Sequence, residues 1–407
     1  MNKWFYFWAI TILMLSCKEE MKEEPNQGAW LGQLEVLDGH KLPFNFNLSK
    51  NENGRYEIEI YNAGEVITVD EIEIVQDSIK IQMPVFEGYI LGIFSKNSIK
   101  GNFVKESLDR VVPFEALYGE KKRFSTNERG NVNVSGIWET EFSHGTPDYY
   151  MAKGIFAETE GKVTGTFRTP TGDYRFLEGV STGDSLKLSA FDGAHAFLFL
   201  AKVTDSTLNG TFYSDKHFKE PFVARRNESF ELPEADSLTF LNKGYDKFDF
   251  AFPDTNGNTV SLTDKKFENK VVLVQIMGSW CPNCLDETKF YVNYLEENKD
   301  EDIEVVALAF ESAKTKESAF KNIERLKKRI GVAYPILLAQ YGTYDKVKAQ
   351  EKLPMLNHVL SYPTTLFIDK RGKVRKIHTG FNGPATGEKY IAFKKEFNAF
   401  VKLLLNE

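Results

Sequence analysis

The sequence predicts a multidomain protein in which two similar all-β domains, each a barrel or sandwich, precede an α/β domain. Three observations predict this arrangement. Short strands of alternating apolar residues recur between residues 26 and 225, where helical periodicity is scarce. This block contains an internal repeat. From about residue 245, apolar strands alternate with helical segments, as in α/β domains.

Residues 1–16 are typical of a secretory signal peptide. Lys3 provides the positive charge, and about 12 uncharged residues from Trp4 to Leu15 form an apolar stretch that is too short to span a bilayer. The segment Leu13-Met14-Leu15-Ser16-Cys17 resembles the lipobox of bacterial lipoproteins. The resemblance implies that Cys17 is lipidated and anchors the protein to a membrane. An ordinary leader with a chance cysteine is the alternative.

Residues 17–25 read as a charged, solvated tether. Its start, Lys18-Glu19-Glu20, also resembles the export tag of surface lipoproteins in some Gram-negative lineages. Both interpretations predict a location in the cell envelope, periplasmic or on the outer-membrane surface, where a cysteine pair can oxidise.

Composition limits the function further. The chain has 407 residues, enough for two or three domains, and 42% of them are hydrophobic. The net charge of −7 argues against nucleic-acid binding, which requires a concentrated basic face.

The β region divides into two repeats, residues 26–125 and 131–225. Four segments of the first recur in the same order about 108 residues later, which is difficult to obtain by chance. Each repeat has room for roughly seven or eight strands of ordinary length. The matching segments are Gly28-Ala29-Trp30 with Gly136-Ile137-Trp138, Asp77-Ser78-Ile79-Lys80-Ile81 with Asp184-Ser185-Leu186-Lys187-Leu188, Ile99-Lys100-Gly101-Asn102-Phe103 with Leu208-Asn209-Gly210-Thr211-Phe212, and Pro113-Phe114 with Pro221-Phe222.

A polar stretch, residues 226–244, predicts a linker to the third domain, residues 245–407. Two strongly apolar runs in that domain predict strands that are buried on both faces. The order strand, helix, strand, helix, hairpin, helix is thioredoxin-like. The segments are strands Val271–Ile276 and Ile303–Ala309, helices Cys284–Asn298, Lys316–Ile330 and Glu388–Leu405, and a hairpin around Lys370-Arg371-Gly372.

Cys281 and Cys284 are the candidate reactive pair. They follow the strand that ends at Met277 and begin the next helix, so the unpaired amides and the positive end of the helix dipole stabilise a thiolate at Cys281. Cys281 is therefore predicted to be the attacking nucleophile. Cys284, one helical turn later, is predicted to resolve the mixed disulfide. Pro282 suits the first helical turn, where a missing N–H costs nothing.

Two other roles for the pair are less favourable. A structural bridge that closes so short a loop constrains the unfolded chain little. A zinc site needs more ligands, but the chain has three cysteines in all and its six histidines are scattered without ligand spacing. We therefore predict no metal and no cofactor other than a redox-active Cys281–Cys284 disulfide.

Residues 245–407 resemble the TlpA/ResA-like branch of bacterial thioredoxin-fold thiol–disulfide oxidoreductases. The resemblance rests on Trp280-Cys281-Pro282-Asn283-Cys284, on Pro363-Thr364-Thr365-Leu366-Phe367-Ile368-Asp369 and on Phe250–Gly257, which is similar to the family's first strand and hairpin. It implies that Pro363 is cis beside the cysteines and that Tyr362 pairs with an extended substrate. A small threonine is common at the place of Tyr362.

The resemblance also extends to Glu287, since relatives carry a glutamate close to the buried thiol. A carboxylate buried there has a raised pKa and can carry the thiol's proton; a solvated helix glutamate is the alternative. We expect Trp280, with Pro282 and Asn283, to shape the surface that contacts substrate, although Trp280 could equally be core packing.

The sequence therefore predicts a lipid-anchored, extracytoplasmic protein-disulfide oxidoreductase. The family implies a reductant that acts on protein thiols and disulfides and is reduced again by a membrane-side electron donor. Two alternatives remain open. In one, the β repeats bind a ligand or partner and are the main functional part. In the other, Cys281 and Cys284 handle copper with His358 as the one nearby histidine.

Overall fold

The computed structural model describes residues 23–126 and 128–407, which contain 25 β-strands and four α-helices. The predicted signal peptide, the lipidation site Cys17 and most of the tether lie outside the described residues. No helix in the described part of the chain is long and apolar enough to cross a membrane.

The first domain is a nine-stranded antiparallel sheet with the order β4-β3-β2-β1-β9-β8-β7-β6-β5. Alternate residues of each strand face a common core, as in the burial pattern of Tyr56–Asn62. The strands are β1 Gly28–Glu35, β2 Lys41–Lys50, β3 Tyr56–Asn62, β4 Glu65–Val69, β5 Glu71–Val75, β6 Ser78–Gln82, β7 Tyr89–Phe94, β8 Ser98–Lys105 and β9 Arg110–Tyr118.

The second domain repeats this meander and closes it, because β11 pairs with both β10 and β12. Closure removes the free sheet edges on which other strands could pair. The strands are β10 Gly136–Phe142, β11 Tyr150–Thr159, β12 Lys162–Thr169, β13 Gly172–Asp173, β14 Leu177–Thr182, β15 Ser185–Phe191, β16 Ala196–Val203, β17 Thr207–Ser214 and β18 Phe218–Arg226.

Each β domain contains the same internal hydrogen bond at an equivalent tryptophan, as the duplication predicts. Trp30 and Trp138 are both fully buried, and each indole N–H donates at 2.9 Å to the carbonyl of the residue four positions earlier. This contact lets a large ring enter the core with its one donor satisfied. Each domain has nine strands rather than the expected seven or eight, because strands of five residues or fewer, such as Glu65–Val69 and Gly172–Asp173, are used.

The third domain is an α/β unit around a five-stranded sheet with the order β23-β22-β21-β24-β25. Its central strand β21 pairs in parallel with β22 and antiparallel with β24, and every residue of β21 is buried. The elements are β19 Ala251–Pro253, β20 Thr259–Ser261, β21 Val271–Met277, α1 Pro282–Glu297, β22 Ile303–Phe310, α2 Lys316–Ile330, β23 Ile336–Gln340, α3 Lys346–Lys352, β24 Thr364–Ile368, β25 Val374–Thr379 and α4 Glu388–Leu405. The predicted fold class, two all-β domains followed by a thioredoxin-like domain, is confirmed.

The three domains meet around the buried guanidinium of Arg175. This side chain belongs to the second domain, and its Nη2 lies 2.7 Å from Glu65 of the first domain. Its Nη1 forms an ion pair with Asp286 of α1, in the third domain. A buried arginine with partners in separate domains fixes those domains relative to one another.

Candidate active site

The reactive pair lies where the central strand passes into the first helix. Strand β21 ends at Met277, and Cys281 is the N-cap of α1. Pro282 occupies the first helical turn, and the backbone N–H of Cys284 donates to Cys281 Sγ at 3.1 Å. The sulfur therefore accepts one of the N–H groups that a helix start leaves without an intrahelical partner.

Cys281 and Cys284 are joined by a disulfide, with their Cα atoms 5.2 Å apart. Cys281 is 6% exposed, whereas Cys284 is fully buried. This asymmetry means that an incoming molecule can reach Cys281 Sγ first.

The loop before β24 lies against the pair. The Tyr362–Pro363 peptide bond is cis, and the carbonyl oxygen of Tyr362 is 3.5 Å from Cys281 Sγ. The Trp280 ring contacts the Tyr362 ring at 5.6 Å between centroids and the Tyr344 ring at 4.9 Å, and its indole N–H donates to the carbonyl of Phe310 at 2.9 Å. Trp280 is thereby held beside the nucleophile.

Glu287 lies at the centre of a buried polar cluster behind the pair. Its carboxyl group accepts hydrogen bonds from Gln275 Nε2 at 2.9 Å, from Tyr291 Oη at 3.0 Å and from Thr365 Oγ1 at 3.0 Å. The same Gln275 amide approaches the carbonyl of Cys284 at 3.4 Å. Burial raises the pKa of Glu287 to about 7, although these hydrogen bonds oppose the rise. A carboxyl with this pKa can both hold and release a proton near neutral pH.

A second buried carboxyl, Glu311, supports the loop that leads to Cys281. It accepts from the backbone N–H of Ser279 at 2.8 Å and from the Ser279 hydroxyl at 2.6 Å. Burial raises the pKa of Glu311 to about 7 against the effect of these two bonds. The conformation of the loop that contains Ser279 therefore depends on the Glu311 carboxyl, which gains or loses its proton near neutral pH.

The second β domain also contacts the site, through the covering loop, which we define as Thr169–Arg175. The Asn283 side chain donates to the carbonyl of Asp173 at 3.2 Å, and Ser361 Oγ donates to the carbonyl of Thr171 at 2.9 Å. The covering loop therefore bonds both to the Cys-Pro-Asn-Cys turn and to the loop that carries the cis proline.

The predicted site residues come together in one place. Trp280 is partly exposed, Cys281 and Tyr362 are 6% and 8% exposed, and the residues Pro282, Cys284, Glu287 and Pro363 are buried around them. Asn283 is half-buried, and its amide bonds to the covering loop. His358 lies elsewhere on its loop, with Nε2 2.9 Å from the carbonyl of Leu238.

Sequence reasoning missed Gln275, Glu311 and the covering loop. Gln275 had a signal, because it is the one polar residue in the apolar run Val271–Met277. Glu311 directly follows strand β22, but its partner Ser279 is 32 residues away in the chain. The covering loop has no signal in the sequence, since its contact with Asn283 joins residues 110 positions apart.

Comparison with known proteins agrees with this geometry. The Redoxin family model matches residues 244–391, which include the cysteine pair, Glu287 and the cis proline. The C-terminal part of the chain is a Redoxin domain. The predicted resemblance of the third domain to ResA/TlpA-like proteins is confirmed.

Two curated relatives from Bacillus subtilis (strain 168) match a part of the chain. Thiol-disulfide oxidoreductase ResA is 29% identical over 140 residues, 34% of this chain and 69% of that protein. Thioredoxin-like protein YneN is also 29% identical over 140 residues and is covered to 73% of its length. A solved thiol-disulfide oxidoreductase from Bacteroides fragilis NCTC 9343 aligns with 37% of this chain and 99% of its own, with 18% identity and a TM-score of 0.27. The Redoxin match and the curated relatives support the predicted enzyme class, a thiol–disulfide oxidoreductase.

Proposed function

We propose that this protein is an extracytoplasmic thiol–disulfide oxidoreductase that reduces disulfides in other proteins through Cys281 and Cys284. One observation carries the proposal. The more accessible sulfur lies at the start of a helix beside a cis-proline loop, and a fully buried second cysteine follows one turn later. This arrangement suits dithiol–disulfide exchange with an extended polypeptide.

The reaction consists of two exchanges at sulfur. In the reduced protein, the Cys281 thiolate attacks one sulfur of the substrate disulfide, and the other substrate sulfur leaves as a thiolate. Cys284 then gives up its proton and attacks Cys281 Sγ, which releases the second substrate thiolate and forms the Cys281–Cys284 disulfide. The substrate gains two electrons, and the protein loses two.

Glu287 is the group that we assign to the proton of Cys284. Its carboxyl is buried on the same helix one turn after that cysteine, and its pKa of about 7 lets it accept a proton near neutral pH. Gln275 contacts both the Cys284 carbonyl and the Glu287 carboxyl, and it thereby keeps these two residues close to one another.

A reductase must be reduced again after each turnover. We assign this step to a membrane-side dithiol donor, which would attack the Cys281–Cys284 disulfide by the same chemistry in reverse. The lipobox-like segment at Cys17 supports membrane attachment through a lipid, and substitution Cys17→Ser should then release the protein from the membrane fraction. Persistent membrane association of that variant would contradict lipidation.

The β domains are less suited to enclosing a ligand in their interiors. The second barrel is filled by aromatic side chains, among them Trp138, Phe142 and Phe167, which are fully buried. Any ligand of the second barrel therefore binds at its outer surface or at the end that borders the redox site.

The decisive experiment is to trap the intermediate. In a Cys17→Ser background, which removes the third thiol, reduced Cys284→Ser should accumulate a mixed disulfide with insulin at Cys281. Nonreducing electrophoresis and mass spectrometry of the adduct provide the measurement. The matched control Cys281→Ser should form no such adduct, and an equal yield from the two variants, or none from Cys284→Ser, would refute the proposed roles.

A further inference from the structure

A cavity of about 340 Å³ lies at the junction of the three domains, next to the redox site. The first domain contributes Phe86 and Lys105, the second domain contributes Phe218, and the third contributes Trp280 and Tyr344. Because its walls come from all three domains, none of the domains alone forms this cavity.

The cavity is lined by Trp280, the residue directly before the reactive cysteine. Trp280 directly precedes Cys281, and its ring lies between Tyr344 in the cavity wall and Tyr362, whose carbonyl is 3.5 Å from Cys281 Sγ. The covering loop also reaches the cavity, through Tyr174. For this cavity to receive a substrate side chain, that side chain must lie within a residue or two of the cysteine joined to Cys281, since Trp280 is the neighbour of both.

The lining of the cavity favours an aromatic side chain. Phe197 and Phe212 form a buried wall with ring centroids 5.3 Å apart, and Phe218 and Tyr344 stand at the mouth, 43% and 42% exposed. Aromatic rings pack well edge-to-face or offset against such walls. The volume is at the lower end for binding sites of complete small ligands, so it fits one large side chain with its adjoining backbone.

Polar side chains also line the cavity, among them Asp215 and Lys105. Asp215 is 1% exposed, and its Oδ2 is paired with Lys105 Nζ at 2.7 Å. No group in the described part of the chain hydrogen-bonds its Oδ1. Because the Asp215 carboxylate has almost no accessible surface, its charge is balanced within the wall by Lys105, and the aromatic side chain is the group that the cavity can recognise.

We propose that this three-domain cavity is a specificity subsite that receives an aromatic side chain of the disulfide-bonded protein substrate, one or two residues from the cysteine that reacts with Cys281. The inference rests on the proposed function and names its substrate class: extended polypeptides with an aromatic residue beside the disulfide. The reaction at sulfur is the exchange already described.

The test measures how fast the reduced full chain, again with Cys17→Ser, reduces three symmetrical peptide disulfides. The peptides are acetyl-Ala-Cys-Ala-amide, acetyl-Phe-Cys-Ala-amide and acetyl-Ala-Cys-Phe-amide, each as its own disulfide dimer, with glutathione disulfide as a small-molecule comparison. Acid-quenched chromatography gives the second-order rate constants. At least one phenylalanine peptide should react about tenfold faster than the alanine peptide, which is a modest part of what burial of an aromatic ring provides.

Substitutions at the mouth test whether the cavity causes the preference. Phe218→Ala and Tyr344→Ala change residues of two different domains, and both side chains are partly exposed, so neither substitution leaves a closed cavity in a core. Each should reduce the preference for phenylalanine at least about threefold. The rate with the alanine peptide should stay within about twofold for Phe218→Ala, whereas Tyr344→Ala is judged by the preference alone, because Tyr344 also contacts Trp280 beside the nucleophile. Tyr149→Ala is the matched control, because Tyr149 belongs to the same barrel as Phe218, is 45% exposed and does not line the cavity.

The outcomes separate this inference from the proposed function. Equal rates for all three peptides, a preference that both variants retain, or glutathione disulfide as the fastest substrate would overturn the subsite and leave the exchange activity standing. If no disulfide is reduced by the parent protein, the proposed function fails, and the subsite fails with it.

Discussion

Replacing Glu287 with glutamine should change how the stability of the redox domain depends on pH. The Glu287 carboxyl is fully buried, and burial raises its pKa from the ordinary value of 4.5 to about 7. Glutamine has the same shape and no charge. Its oxygen can still accept from Tyr291 and Thr365, while Gln275 must turn its amide to pair with the new NH₂ group, at a cost on the order of one hydrogen bond, about 1 kcal/mol.

The sign of the pH effect follows from which state holds the proton. Below about pH 4.5, Glu287 is protonated in both the folded and the unfolded chain, and its full contribution to stability is present. Between about pH 4.5 and 7, the unfolded chain releases the proton and the folded chain keeps it, so stability falls as pH rises. Above about pH 7, the loss is complete and amounts to about 3 kcal/mol.

The measurement is the free energy of unfolding of the oxidised full chain in urea at pH 5 and pH 8. Hydrogen exchange at the amides of strand β21 assigns the transition to the redox domain. Between these two pH values, the parent should lose about 2.5 kcal/mol more than Glu287→Gln does. Glu296→Gln, an exposed position on the same helix, is the matched control and should show the parent's pH dependence.

The result that would refute the reasoning is an equal fall in stability for the parent and for Glu287→Gln. Glu311 provides an independent check within the same experiment, because burial raises its pKa to about 7 as well. Glu311→Gln should remove a similar share of the pH dependence. If neither variant does so, neither carboxyl is buried as the structure shows.

The remaining predictions concern the contacts between domains. Arg175→Met leaves the carboxylates of Glu65 and Asp286 without their guanidinium partner and should lower the free energy of unfolding by at least about 3 kcal/mol. Arg225 is exposed, so the control Arg225→Met should change this free energy by less than about 0.5 kcal/mol. Similar losses for the two variants would contradict a role for Arg175 at the junction. Gly380→Ala places a Cβ 2.6 Å from the carbonyl carbon of Thr171, so hydrogen exchange in the covering loop should accelerate. Gly372→Ala is the control, because Gly372 has the same φ of +77° but open space around it, so this variant has the backbone strain without the clash. Equal rates of hydrogen exchange in the covering loop of the two variants would disprove the close approach.

Much of the fold could be predicted because its signals are local. Helix α2 has the predicted bounds, Lys316–Ile330, since the Thr315 side chain caps its start and Gly331 ends it at a φ of 78°. The repeated Gly-x-Trp segments have equivalent places in both β domains. The closure of the second sheet could not be predicted, because the pairing of β11 with both its neighbours depends on cross-strand packing along the whole barrel.

The residues of the active site likewise divide into those with a local signal in the sequence and those without one. Cys281, Cys284 and Glu287 share one helix, so their spacing alone predicts that they lie near one another. The place of Pro363 came from a family resemblance. The bonds between Asp173 and Asn283, and between Ser279 and Glu311, join distant parts of the chain and leave no periodic pattern that sequence reasoning could use.

The contacts of the covering loop bring the second barrel directly against the active site. Its backbone carbonyls accept hydrogen bonds from Asn283, between the two cysteines, and from Ser361, directly before the cis-proline dipeptide. With the proposed subsite, a substrate that pairs with the cis-proline loop approaches Cys281 past Trp280 and Tyr344, which border the three-domain cavity. The barrel thus restricts the direction of approach, and its wall determines which side chain can lie beside the reacting disulfide. On this proposal, specificity is a property of the interface between domains, while the cysteines that exchange disulfides belong to the Redoxin domain.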